Sequence, residues 1–148
     1  MEMLTYPRLL VYGASGTGKT HFIGTCPKPY VFDFDNGAET LVGMGVPFTG
    51  DLYEPLAPGT WERFNRKLQE FEGGRVQGAR TLAIDSLTAF CDMAEARVLQ
   101  LNNHDVFHKT QEDWGHELSM IEQVMYRLNQ ASKHYHIVVT AHEQLKED

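Results

Sequence analysis

A length of 148 residues suits one domain with its own core, and 42% hydrophobic with 22% charged residues excludes both a disordered and a fibrous chain. With 13 Lys and Arg against 20 Asp and Glu the formal charge is -7, so any contact with phosphate must come from a local site that overcomes the repulsion of the whole chain. Cys26 and Cys91 make neither a disulfide framework nor a CxxC zinc spacing, no run nears the roughly 20 apolar residues of a membrane span, and Met1 to Tyr6 lacks a signal-peptide layout. The expectation is a single, reduced, cytoplasmic domain over residues 1–148.

In chain order, the apolar run Arg8 to Tyr12 ends in glycine and reads as a buried strand. Residues 18–25 predict a helix stopped by Pro27 and Pro29, and Tyr30 to Phe34 a second strand. Glycines and prolines from Gly43 to Gly59 predict a long irregular connection. Trp61, Phe64, Leu68 and Phe71 recur at helical spacing, so residues 60–72 predict an amphipathic helix closed by Gly73-Gly74. Residues 80–85 predict a third strand and residues 86–101 a helix. Residues 102–113 are polar and aperiodic and read as a loop. Trp114, Leu118, Ile121, Met125 and Leu128 make another helical stripe, and His136 to Ala141 a fourth strand. Strands alternating with helices imply an α/β fold: a mainly parallel sheet covered on both faces. The tryptophan-led stripes at Trp61 and Trp114 are expected to pack in the core.

Gly13-Ala14-Ser15-Gly16-Thr17-Gly18-Lys19-Thr20 fits G-x-x-x-x-G-K-[ST] in full, between a predicted strand and a predicted helix. Glycines let such a loop curl until the backbone N–H groups of Gly16, Thr17, Gly18 and Lys19 converge on phosphate oxygens. Lys19 is expected to bridge the β- and γ-phosphates and the Thr20 hydroxyl to hold Mg²⁺. The expected nucleotide contacts are Gly13, Ala14, Ser15, Gly16, Thr17, Gly18, Lys19, Thr20 and the adjoining His21.

Three further places carry acids or a histidine at strand ends, where parallel sheets bind ligands. Asp85, closing Thr81-Leu82-Ala83-Ile84-Asp85, suits the Mg²⁺ shell, with Ser86 as cap of the next helix. Asp33 and Asp35 share a face after the second strand, and either, or Glu39, could orient the water that attacks the γ-phosphate. Thr140 or His142, at the end of the fourth strand, could sense that phosphate. His104, His108 and His116 fall in a segment without helical pattern and read as solvated residues, not metal ligands.

Together these residues resemble the RecA-like P-loop ATPases, most closely the short phage ATP-binding proteins of the Sak single-strand-annealing kind. The carriers are Leu9 to Gly13 with Lys19-Thr20, Pro29 with Val31 to Gly37, Ile84 to Thr88, Trp114-Gly115 and Val138 to His142. The resemblance implies a three-layer P-loop fold with strand order 1-4-3-2, Mg²⁺-dependent ATP hydrolysis, and catalytic roles for Lys19, Asp35, Asp85 and His142. It also implies oligomerisation on single-stranded DNA, a part in phage recombination or annealing, and residence in host cytoplasm. Two departures stand out: Asp35 occupies the place of the family's catalytic Glu, and the family continues beyond the position of His142 through a DNA-binding loop and further strands. The outer edge of the first strand is therefore expected to lie open, in a truncated core or against a partner or second copy. Arg97 and Arg127 are candidate arginine fingers for a neighbouring subunit, and the 102–113 segment a candidate DNA contact. A small-molecule kinase and a non-hydrolysing nucleotide scaffold are the competing readings; the chain carries no Asn-Lys-x-Asp motif for guanine.

Overall fold

A computed structural model describes residues 6–14 and 16–143 of the chain. The apolar runs form strands Arg8–Gly13 (β1), Pro29–Asp33 (β2), Thr81–Asp85 (β4) and His136–His142 (β5), joined by Thr49–Leu52 (β3). All pairings are parallel, in the order β1-β5-β4-β2-β3. The first four places reproduce the expected 1-4-3-2 order, and β3 adds a strand beyond β2. β3 lay hidden in the Gly- and Pro-rich connection because Thr-Gly-Asp-Leu is exposed throughout and has no alternation to read. It joins the sheet mainly through its backbone, with Tyr30 OH donating to Asp51 Oδ2 at 3.3 Å, and Gly50 allows the close approach: a Cβ there would stand 2.3 Å from the Val31 carbonyl oxygen.

Strands β2 and β4 are buried at every residue, which is why they read as unbroken apolar runs. Alternation sorts their side chains to opposite faces. Val31, Ala83 and Val138 meet Ile23 and Leu41 from the short helices Lys19–Gly24 (α1) and Ala38–Gly43 (α2). Phe32, Leu82, Ile84 and Val139 meet Phe64, Phe90 and Leu128 from Thr60–Glu72 (α3), Leu87–Asn102 (α4) and Gln111–Ala131 (α5). These are the three layers the sequence led us to expect. Among the described residues no helix is long and apolar enough to cross a membrane.

Among the described residues β1 has a strand on one side only, and it is not the buried strand its apolar run led us to expect: Leu9, Leu10 and Tyr12 are largely exposed because nothing described covers its outer edge. Ile137 N–H donates to Pro7 O and Glu143 N–H to Gly13 O, so odd-numbered residues face β5 and the backbone groups of Leu10 and Tyr12 face outward.

Two expectations are corrected in the helical layer. Trp114 and Leu118 are 58% exposed each and are not core; Val124, Leu128 and Ala131 carry the packing of α5. The reason is that the first turns of α5 lie against the 102–110 segment rather than the sheet; most of that segment is exposed, as expected, but it is an ordered 3-10 turn leading into α5 and not an aperiodic loop, and it turns Lys109 inward. Asp113 is fully buried and accepts hydrogen bonds from Thr110 N (2.8 Å) and Asn102 Nδ2 (2.6 Å), and pairs with His104 Nδ1 (2.8 Å). The Lys109 ammonium lies 2.9 Å from Glu95, 2.6 Å from Glu117 and 3.3 Å from the centre of the Trp114 ring. Trp114 thus serves as a platform for a cation instead of filling the core. His108 pairs with Asp105 at 2.6 Å on the 3-10 turn Val106–His108.

The Thr110 backbone N–H, then Asn102 and His104, hold the Asp113 carboxyl well below the usual range. Its stabilising contribution is complete above the unfolded-chain value of about 4 and is lost as pH falls from there toward the folded value. Asp113→Asn is therefore expected to melt lower than wild type at neutral pH and to lose less on acidification, a comparison read by circular dichroism.

Candidate functional site

The loop from Gly13 to Gly18 joins β1 to α1, and its turn depends on Gly16 and Gly18, whose φ angles of 80° and 94° lie in the left-handed region. Ser15, expected among the nucleotide contacts, lies outside the described residues. Lys19 is only 8% exposed, and its Nζ donates to the carbonyls of Gly13 and Ala14, both at 2.8 Å. A loop stapled by its own lysine keeps a positive charge at the centre of its curl. Thr17 Oγ1 closes the turn by donating to Ala14 O at 2.7 Å.

Asp85, at the carboxyl end of β4, is buried between two hydroxyls: Thr20 Oγ1 donates to its Oδ2 at 2.9 Å and Thr140 Oγ1 to its Oδ1 at 2.7 Å. Burial holds its carboxyl above the usual range; the two hydroxyls oppose this, and the charges of Asp35 and Asp33 add to it. The site thus sets a buried acid beside the Thr20 hydroxyl. Hard oxygen donors in this arrangement fit Mg²⁺. Gly37 sharpens the fit, because a Cβ there would stand 3.1 Å from Asp85 Oδ2 and 3.5 Å from Thr20 Oγ1. Its missing side chain leaves the pair accessible from the cleft.

The two acids after β2, alike in sequence, part company in space. Asp33 is buried and its oxygens accept the N–H groups of Gly37 (2.9 Å) and Ala38 (3.1 Å), which anchors the start of α2. Asp35 faces the cleft, where its Oδ2 and His142 Nε2 share a hydrogen bond of 2.7 Å. The His142 backbone is fixed in turn, its N–H donating to Thr88 Oγ1 at 2.9 Å. Glu39 is absent from the described lining. The cleft measures about 750 Å³ and brings Gly16, Thr17, Gly18, Lys19, Thr20 and His21 together with Asp35, Asp85 and His142. That volume lies in the ordinary range for a small-molecule site.

Arg97 pairs with Glu62 at 3.0 Å and Arg127 with Glu72 and Asn65, so both candidate fingers are engaged within the α3 to α5 layer. Gly37 and Thr88 entered the sequence reading only within the segments that carry the family resemblance, with no role at the site, and Thr40 not at all; Thr88 shows its role only once α4 and β5 are side by side.

Gly37→Ala is expected to weaken Mg·ATP binding by about tenfold, roughly 1.4 kcal/mol, while nucleotide binding in EDTA changes little. Gly37 has φ of -89°, which alanine adopts freely, so the effect is confined to the crowding of Thr20 and Asp85. Isothermal titration with and without Mg²⁺ checks it.

Residues 5–148 match the family described as the AAA domain. Among solved structures the chain is similar to an ATPase from the type III secretion system of pathogenic bacteria, with a TM-score of 0.61 and 13% identity over 97% of this chain and 47% of that one. The chain spans about half the length of that structure, and at this identity the likeness is one of fold. No curated protein matches the chain. A full Walker A loop opening α1, an acid closing β4 and a match over almost the whole length lead to one statement: the chain belongs to the AAA domain family of P-loop ATPases.

Proposed function

We propose that the cleft binds Mg·ATP and hydrolyses it, and that the chain is the ATPase module of a phage DNA recombination or single-strand-annealing protein. The observation that carries this reading is the convergence of Lys19, the Thr20–Asp85 pair and the Asp35–His142 pair on one cleft. The loop N–H groups and Lys19 bind the phosphates. Thr20 and Asp85 hold Mg²⁺, which when bound neutralises phosphate charge. Asp35 accepts the proton of the attacking water as the water oxygen bonds to the γ-phosphorus and the bond to ADP breaks. His142 keeps the Asp35 carboxylate turned into the cleft and, at the end of β5, reports the γ-phosphate. Asp35 is one methylene shorter than the glutamate of related ATPases, which lengthens the reach to that water and slows turnover.

Single-stranded DNA enters the reading through the family resemblance. Lys109, the one Lys or Arg between residues 102 and 113, is held by Glu95 and Glu117, so DNA contacts arise from assembly or from other segments. Phosphate release from ATP tests the proposal. Wild type is expected to release phosphate, faster with single-stranded DNA, and Asp35→Asn to bind ATP normally while turning over about 100-fold more slowly. Release that requires a small phosphoryl acceptor would make the chain a kinase, and binding without release a nucleotide-dependent scaffold.

A further inference from the structure

A second groove, which shares no lining residue with the phosphate-loop cleft, lies where the segment after β3 leans on the middle of α4. It measures about 570 Å³ and its floor and walls are apolar: Leu56, Ala96, Leu99 and Val106. Leu56 is 78% exposed and Val106 57%, and Phe107, next along the 3-10 turn, is 91% exposed. A cavity of about 290 Å³ adjoins it, sharing Pro55, Leu56 and Ala96. Single exposed apolar residues are ordinary, but three large ones around a depression mark a contact surface.

The rim states what kind of contact. Glu54, Asp92 and Glu95 line the groove, and its own described lining holds no Lys, Arg or His; Arg97 lines the adjoining cavity, where it is already paired with Glu62. Lys109, which reaches Glu95, is already shared with Glu117. Partial desolvation, with the charges of Glu95 and Asp35, holds the Asp92 carboxyl above its usual range. Phosphate-bearing partners, whether nucleic acid or a lipid surface, are repelled by such a rim.

We propose that this groove docks a segment of a partner protein that carries bulky apolar side chains flanked by lysine or arginine. The apolar side chains enter beside Leu56 and Val106, and the basic flanks meet Asp92 and Glu54. Burial of the apolar residues supplies affinity, and the acidic rim supplies selection and rate of encounter.

The proposal is independent of nucleotide binding and is tested without it. The probe is a fluorescein-labelled peptide of about a dozen residues, two leucines one helical turn apart between Lys and Arg flanks. Its controls replace leucine by serine, or Lys and Arg by Glu. Fluorescence anisotropy is expected to show saturable binding of the parent, with amide resonances of Leu56, Ala96 and Val106 shifting on titration. Each control, and each of the variants Leu56→Ser and Asp92→Lys, is expected to bind about tenfold more weakly. Both replaced side chains are exposed, so unchanged melting curves will show that the variants fold. No saturable binding of the parent, equal binding of either control, or shifts confined to other surfaces overturns the proposal. So does concentration-dependent self-association that Leu56→Ser abolishes, which would assign the groove to a second copy of the chain.

Discussion

Lys19→Ala is expected to weaken ATP binding by about 100-fold, roughly 2.7 kcal/mol, and to abolish measurable phosphate release. The size follows from where the ammonium sits. It is nearly buried, at the centre of the loop's curl, and carries the loop's only full positive charge among the described residues. Before a nucleotide arrives, Lys19 satisfies the carbonyls of Gly13 and Ala14. Ala14 is exposed, so water takes over there in the variant and the fold is retained. Lys19→Arg should not rescue binding, because a planar guanidinium cannot enter a curl shaped around a compact ammonium. Isothermal titration gives the affinities, and near-wild-type binding by Lys19→Ala would refute the role of the loop.

Asp85→Asn is expected to move stability and binding in opposite directions. The wild-type carboxylate is buried, with Asp35 and Asp33 near enough to raise its pKa. An acid whose folded pKa is raised binds its proton more tightly in the folded chain. Stability is therefore lost as pH rises through the folded value, and the penalty is in force at neutral pH. Asparagine keeps the shape, accepts from one of Thr20 and Thr140 and donates to the other, and removes the charge. The nucleotide-free variant should gain about 1 kcal/mol, a rise in melting temperature of roughly 2–4 °C. The same change deprives Mg²⁺ of its carboxylate, so saturating Mg·ATP should stabilise Asp85→Asn less than wild type, by about 1.4 kcal/mol if the loss matches that of removing Mg²⁺. Scanning calorimetry of both proteins, with and without Mg·ATP, measures the two effects together. A variant that melts below wild type without nucleotide would show that the charge is already compensated.

Much of the site was legible because its chemistry depends on short-range spacing. The glycines at 13, 16 and 18 and the Lys19-Thr20 pair fix a loop conformation almost regardless of the rest of the chain. The buried strands were legible for a related reason: parallel strands covered on both faces show unbroken apolar runs. What escaped was decided by tertiary contact. β3 is an exposed strand held by the β2 backbone, so no side-chain pattern announces it. The 102–113 segment is solvated over most of its length, as read, but the inward turn of Asp113 and Lys109 escaped because it arises only when α4 and α5 bring Glu95, Asn102 and Glu117 alongside. The choice between Asp33 and Asp35 likewise depended on α2. Its first N–H groups take Asp33 and leave Asp35 for the cleft.

The central claim is that Mg·ATP occupies the cleft between the phosphate loop and the end of β4, and the amide resonances of the loop test it most directly. In a titration of ATP into wild-type protein, Gly16, Gly18, Lys19 and Thr20 are expected to shift together and saturate, with about tenfold loss of affinity when EDTA replaces Mg²⁺. Saturable shifts elsewhere, no shifts at millimolar ATP, or the same affinity in EDTA would contradict the account.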